Sequence, residues 1–264
     1  MHKSAHFCLI ICSLCCLACG PPKKTHATRS SIELASYVPK GKSGRVPGVF
    51  KNASGLTCSP HSKTLFCITN SGTLVEFTRE GKSKRTIRLR GFADPEGIAH
   101  VEGNTFAIIE ENRGTISFVT LDAKTKLVKR DPSTELKVDT VGGNKGLEGL
   151  TYDSLSKTFF VVKEKGPRKV YKVTRNGKVS TPWNAETSAL GLRDLSGIFF
   201  DPVSQHLILL SHKSKVAVEC TTDGLEIARL PLNLRQAEGV TIDDEGNLYI
   251  CGEPSSLQVF EKKK

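Results

Sequence analysis

A glycine recurs five times along this chain, each time opening a run of β-branched and apolar residues. The copies read Ser54-Gly55-Leu56-Thr57, Glu96-Gly97-Ile98-Ala99, Glu148-Gly149-Leu150-Thr151, Ser196-Gly197-Ile198-Phe199 and Glu238-Gly239-Val240-Thr241. The glycines lie 42, 52, 48 and 42 residues apart. Repeats of this length, cut into short strands by turn residues, are the signature of propeller blades. Each blade hides its apolar faces only by stacking on its neighbours. In the first repeat the turns are Pro60-His61-Ser62, Asn70-Ser71-Gly72 and Glu80-Gly81.

The pattern predicts an all-β, five-bladed β-propeller. No stretch keeps an i, i+3, i+4 apolar pattern for three turns, so long helices are not expected. Residues 127–130 are read as the fourth strand of blade two. The fifth repeat supplies only three strands before the chain ends. An open ring would leave a bare sheet edge. Residues 31–38, Ser-Ile-Glu-Leu-Ala-Ser-Tyr-Val, alternate like a strand and are predicted to complete the fifth blade from the N-terminus.

The first residues read as an export signal. His2 and Lys3 precede an apolar run from Phe7 to Ala18, too short for a stable membrane span. Leu17-Ala18-Cys19-Gly20 resembles a lipobox, with Cys16 where an aliphatic residue is usual. The reading is a signal peptide over 1–19 with Cys19 lipidated, a tether and closing strand over 20–42, and the propeller over 43–264. The alternatives are simple secretion and a membrane stub or uncleaved leader. The expected location is the periplasm or cell envelope, on a membrane through the lipid anchor, as a monomer.

Of nine cysteines, Cys58, Cys67, Cys220 and Cys251 lie beyond the leader, all in apolar strand contexts. They read as small buried hydrophobes at least as well as disulfides, and Cys58 with Cys67, on one hairpin, is the pair to test for a bridge. The net charge is +11. The densest basic run, Lys82, Lys84, Arg85, Arg88 and Arg90, alternates as an exposed sheet face does. No basic–aromatic interleaving supports nucleic acid, which is not expected as a partner.

A blade's first strand lines the channel and its second runs antiparallel beside it. The start of one and the end of the other therefore share a face of the disc. The start positions are Ser54, Glu96, Glu148, Ser196 and Glu238; the end positions are Asn70, Glu111, Glu164, His212 and Glu253. Asp94 and Asp194 precede their start positions by two residues, with Asn52 and Gln236 in the same slot. Carboxylates crowded about one axis repel unless they take up protons or a cation sits among them. Ca²⁺ accepts about 6–8 oxygens in loose geometry and suits ligands drawn from separate blades better than Mg²⁺. With one histidine and no cysteine in the set, zinc fits poorly. The predicted metal set is Glu96, Glu111, Glu148, Glu164, Glu238 and Glu253, with Asp94, Asp194 and Asn70 behind it. The plainer reading is a hydrated acidic mouth in which the Glu-Gly pairs are only turn chemistry.

Asp94-Pro95-Glu96-Gly97, Gly146-Leu147-Glu148-Gly149-Leu150-Thr151-Tyr152-Asp153, Asp194-Leu195-Ser196-Gly197 and Ala237-Glu238-Gly239-Val240-Thr241, with Glu111, Glu164 and Glu253, resemble the SdiA-regulated family of exported bacterial proteins. The resemblance spans roughly residues 45–262. It implies a five-bladed propeller, distantly similar to NHL repeats, with a calcium site. Blades one and four depart from the pattern, since Ser54/Asn70 and Ser196/His212 carry no carboxylate.

Two functions follow. One is a non-enzymatic calcium-binding module whose partner is an envelope protein or a glycan. The other is a calcium-dependent hydrolase of lactones or phosphoesters, by analogy with propellers that hold a metal in the channel. Its proton-transfer candidate is His212, with Glu111 and Glu164 as further choices. No nucleophile elbow, phosphate-cradling loop or His-Glu-x-x-His motif is present.

Overall fold

The computed structural model describes residues 31–138, 146–186 and 188–263. The leader and Cys19 lie outside the described residues. Five sheets, antiparallel except for one added parallel strand, stand around a central channel as a five-bladed β-propeller. Their inner strands are Ala53–Ser59, Pro95–Glu102, Leu147–Asp153, Gly197–Asp201 and Ala237–Ile242. These pack on one another in ring order, the fifth returning to the first. The core is divided accordingly, with one buried apolar cluster in each of the five seams between blades. Alternation along each strand therefore serves two seams at once.

The five repeated glycines are explained by the seams and not by turns. None of them has a positive φ. A Cβ on Gly55 would come within 2.7 Å of the Glu96 carbonyl oxygen in the next blade. One on Gly97 would meet Leu150 N at 2.8 Å, and one on Gly149 would meet Gly197 Cα at 3.0 Å. A Cβ on Gly197 would overlap the Glu238 carbonyl, and one on Gly239 would sit 2.6 Å from Ser54 O, closing the circle. Each missing side chain is the space in which the next inner strand lies.

A second inter-blade device lies two residues further on. Thr57 Oγ1 accepts from the His100 amide (3.2 Å), Thr151 Oγ1 from Phe200 (3.0 Å) and Thr241 Oγ1 from Cys58 (3.1 Å). These bonds tie blade one to two, three to four and five to one.

The closing strand forms as expected, though it is shorter. Tyr37–Pro39 pairs antiparallel with Ser256–Lys262, the third strand of blade five. Ahead of it, Leu34–Ser36 is a single 3-10 turn, and Gly44–Arg45 adds to the same neighbour. The segment before the turn is clasped by a buried carboxylate of blade four. Glu219 accepts from Ile32 N (2.6 Å), Leu34 N (3.0 Å), Ser31 Oγ (2.8 Å) and His206 Nδ1 (2.9 Å).

Two expectations are corrected. Leu127–Lys129 does not belong to blade two. It crosses over and pairs in parallel with Ser83–Arg90, the outer strand of blade one. Blade two is finished instead by Glu135–Lys137, paired with Thr115–Thr120. Fully buried Glu110 fixes this rearrangement. It accepts from Arg130 Nε at 3.0 Å and Arg113 Nη1 at 2.6 Å, while Arg130 also reaches Glu135 at 2.6 Å. The cysteines differ too. In the hairpin register Cys67 opposes Leu56 and Cys58 opposes Leu65, so the two do not face each other. Cys67 Sγ lies instead 4.0 Å from Cys251 Sγ, across the seam between blades one and five. All four thiols are free and buried.

Candidate metal centre at the channel mouth

The inner strands do not begin cleanly. The pairing with the second strand slips between Pro95 and Gly97, between Leu147 and Gly149, and between Ala237 and Gly239. The extra residue in each bulge is the glutamate: Glu96, Glu148 or Glu238. A bulge re-aims its side chain out of the sheet's alternation, and here the result is a shared acidic mouth. Glu96, Glu148, Glu164, Glu238 and Glu253 line one cavity of about 300 Å³ with Asn70, Ser54, Ser196, His212 and Lys165. Below it the glycine ring and Leu56, Ile98, Leu150, Ile198 and Val240 narrow the channel to a void of about 10 Å³. A larger, mostly apolar cavity of about 590 Å³ opens on the opposite face.

Charge is distributed unevenly around the mouth. Burial, and then the charge of Glu148, pushes the Glu96 carboxyl up to about 9. Burial, followed by Glu111, Glu164 and Glu238, pushes Glu148 up to about 8. Burial also raises Glu238 and Glu111. Without a cation Glu96 and Glu148 hold protons at neutral pH. Carboxylate oxygens of Asp94, Glu96 and Glu111 all lie within 4.8 Å of one another. Glu111 also accepts from Gly146 N at 2.6 Å, and Asp94 from Asn112 Nδ2 at 3.1 Å.

The other half supplies its own counter-ions. Glu164 is gripped by Lys165 Nζ at 2.5 Å and Lys213 Nζ at 3.0 Å. Burial would raise Glu164, but the two lysines outweigh it and the net shift is downward. His212 stands between two acids, its Nε2 2.9 Å from Asp194 Oδ2 and its Nδ1 3.4 Å from Glu238 Oε1. The Glu238 contact raises the imidazole's pKa against the effect of burial. Fully buried Asp194 also accepts from Ser211 Oγ and from Lys213 N at 3.2 Å.

Blades one and four contribute polar walls. Asn52 Nδ2 donates to Asn70 Oδ1 at 2.7 Å, and Ser196 Oγ donates across the seam to Ala237 O at 2.6 Å. The fold thus brings the six glutamates to one end of the channel, Glu111 beside Asp94 rather than on the cavity wall. Lys165 and Lys213 escape a reading confined to start and end positions. Each directly follows an end position, Glu164 or His212, and that adjacency was the available signal.

The oxygen-rich, half-buried set of Asp94, Glu96, Glu111, Glu148 and Glu238 fits a hard cation. Glu164, already neutralised by two lysines, fits one less well. No Cys or additional His stands among these ligands to favour a softer metal.

A family model described as SdiA-regulated matches residues 29–261. Among solved structures, the chain is similar to one from a nidogen/laminin complex at 18% identity and a TM-score of 0.56, covering 76% of this chain and 72% of that one. It is also similar to a luciferin-regenerating enzyme at 11% identity and a TM-score of 0.56, covering 83% and 94%. One was solved within a complex and the other is an enzyme, so at these identities the likeness speaks to the fold and not to an activity.

Proposed function

The chain belongs to the SdiA-regulated family, and from that premise we propose that it is a calcium-binding propeller acting as a non-enzymatic binding module at the cell envelope. The observation that carries this reading is the cluster of Asp94, Glu96 and Glu111, whose carboxylate oxygens lie within 4.8 Å of one another, with Glu148 and Glu238 on the same cavity as Glu96; burial and neighbouring acids push Glu96 and Glu148 up to about 9 and about 8. A site that crowds acids until they hold protons is one that a divalent cation relieves. Glu96, Glu148 and Glu238, with Glu111 and Asp94, are the residues that would hold the ion; Glu253 stands on the same cavity wall. Bound there, calcium would supply a shared counter-charge that braces three blades. The proposed site is the periplasm or envelope, with Cys19 as the lipid anchor and an envelope protein or glycan as partner.

Binding is favoured over hydrolysis by the state of His212. A general base must be free to take a proton near neutral pH. His212 is instead held at Nε2 by fully buried Asp194, 2.9 Å away, with Glu238 3.4 Å from its Nδ1, so both ring nitrogens face carboxylates that already surround it.

Calorimetric titration of chelator-treated protein tests the proposal. Calcium is expected to bind with Kd no weaker than about 1 mM, the range of extracellular calcium modules, and to raise the melting temperature. Glu148→Gln should weaken the affinity at least about tenfold, a loss of about 1.4 kcal/mol, and shrink the thermal shift accordingly. An absence of heat and of any thermal shift at millimolar calcium would leave a merely hydrated acidic mouth.

A further inference from the structure

Blade one carries positive charge that the fold leaves unbalanced. Its outer strand, Ser83–Arg90, turns Ile87 and Leu89 inward and exposes Arg88 and Arg90. The crossover from blade two lays Leu127–Lys129 beside it in parallel, in a register that sets Lys129 next to Arg90. The loop leading into the crossover brings Lys124 and Lys126 to a cleft of about 540 Å³ between blades one and two. Lys84, also on the cleft, is paired with Glu76 at 3.3 Å. Among the described residues no carboxylate pairs with Arg88, Arg90, Lys124, Lys126 or Lys129.

Like charges placed side by side on a sheet are destabilising. The chain nevertheless anchors the segment that creates this arrangement, through the Arg130 contacts to Glu110 and Glu135. An arrangement that is both unfavourable and pinned in place calls for a partner of opposite charge.

We propose that this edge of blade one docks an acidic polysaccharide. Residues two apart on an extended strand are separated by about 6.8 Å, so Arg88 and Arg90 form a comb suited to a linear chain with regularly spaced anions. The adjoining cleft gives the surface the shape of a groove. A bilayer surface is a poorer match, since Leu127, 44% exposed, is the sole large apolar side chain the patch offers for insertion. Single-stranded nucleic acid binds by stacking on exposed rings, and the aromatic pair in this cleft, Phe66 and Phe106, is buried.

The proposal gives the binding module described above a class of partner. It does not involve the calcium mouth, so its test is run with chelator present and its failure leaves the calcium site untouched. Binding of the full chain to fluorescently labelled polygalacturonate is measured by anisotropy at about 0.15 M salt, where exposed charges more than about 8 Å apart are largely screened. The triple change Arg88→Glu, Arg90→Glu and Lys129→Glu should weaken binding at least tenfold. Lys157→Glu, Lys178→Glu and Lys215→Glu, the same charge change at exposed positions of blades three and four, should weaken it less than twofold. Lys124→Ser with Lys126→Ser, on an exposed loop, is a milder second variant expected to lose about threefold. Equal losses in the two triple variants would reduce the effect to net charge and overturn the proposal. So would an absence of wild-type binding, or tighter binding to phosphatidylglycerol vesicles, oligothymidine or polyglutamate than to polygalacturonate.

Discussion

The mouth glutamates show how one residue type acquires different chemistry from its neighbours. Glu164 stays ionised because Lys165 and Lys213 reach it, while burial drives Glu96 and Glu148 to hold protons, helped by Glu148 in the first case and by Glu111, Glu164 and Glu238 in the second. This has a consequence for stability. A carboxyl whose folded pKa is raised contributes stability at low pH that is lost as pH rises through its folded value. Metal-free protein should therefore lose melting temperature steadily from the ordinary glutamate value of about 4.3 up to about pH 9, where the folded values of about 8 and about 9 have been passed. Glu148→Gln, which needs no proton, should raise the metal-free melting temperature at pH 9 by about 2–4 °C, what about 1 kcal/mol is worth in a chain of this size. Melts in chelator across that range check the sign; a rise in wild-type stability with pH would contradict the protonated mouth.

At the scale of the element, the inner strand is shaped by what it must leave out. Its glycine has an ordinary extended backbone, and the constraint is the backbone of the next blade. Gly239→Ala would place a Cβ 2.6 Å from both Ser54 O and Leu56 N and 2.8 Å from Cys251 Sγ, on both sides of the seam between the last blade and the first. Neither backbone atom can rotate away. The substitution should destabilise the protein by about 1–3 kcal/mol, the usual range for overpacking a filled core, measured as a shift in denaturation midpoint. Gly81→Ala is the contrasting case: a turn glycine with φ near 80° and open space around its Cα. Its strain is local to the turn, and it should leave the seam and the mouth intact. The bulge beside the inner-strand glycine in blades two, three and five completes the element's work, since it turns Glu96, Glu148 and Glu238 toward the axis.

Closure belongs to the whole molecule. The ring is sealed by a three-residue strand, Tyr37–Pro39, and held by Glu219, which reaches back 188 residues to Ser31. Burial raises the Glu219 carboxyl, but the bonds from Leu34 N, His206, Ser31 and Ile32 N outweigh it and the net shift is downward. Stability from a depressed carboxyl is present above its ordinary value and lost as pH falls through the folded one. Wild type should therefore lose more stability than Glu219→Gln on acidification from pH 5 to pH 3, below the usual glutamate pKa of about 4.3. Glu219→Ala leaves buried amides of Ile32 and Leu34 without their acceptor and should cost about 2–3 kcal/mol. It should also open the segment ahead of Lys42 to protease; unchanged cleavage there would show that the strand closes the ring without the clasp.

What the sequence by itself determined was whatever repeats. Five Gly-led strands at blade spacing specified the propeller, and the paired start and end slots placed six glutamates at one end of the channel, because local alternation and repeat length are written in the chain. The third strand of blade five lacking a partner likewise announced an N-terminal closing strand. The tertiary structure alone decided the rest, for reasons that lie between repeats. The glycines look like turn residues until the neighbouring backbone is seen against them. Leu127–Lys129 has the composition of a blade-two strand, but buried Glu110 draws Arg130 across and hands the strand to blade one. Cys67 meets Cys251 rather than Cys58, since ring closure brings residues 184 apart to 4.0 Å. The balance of the mouth, protons on one side and lysines on the other, follows from distances between blades that no single repeat encodes.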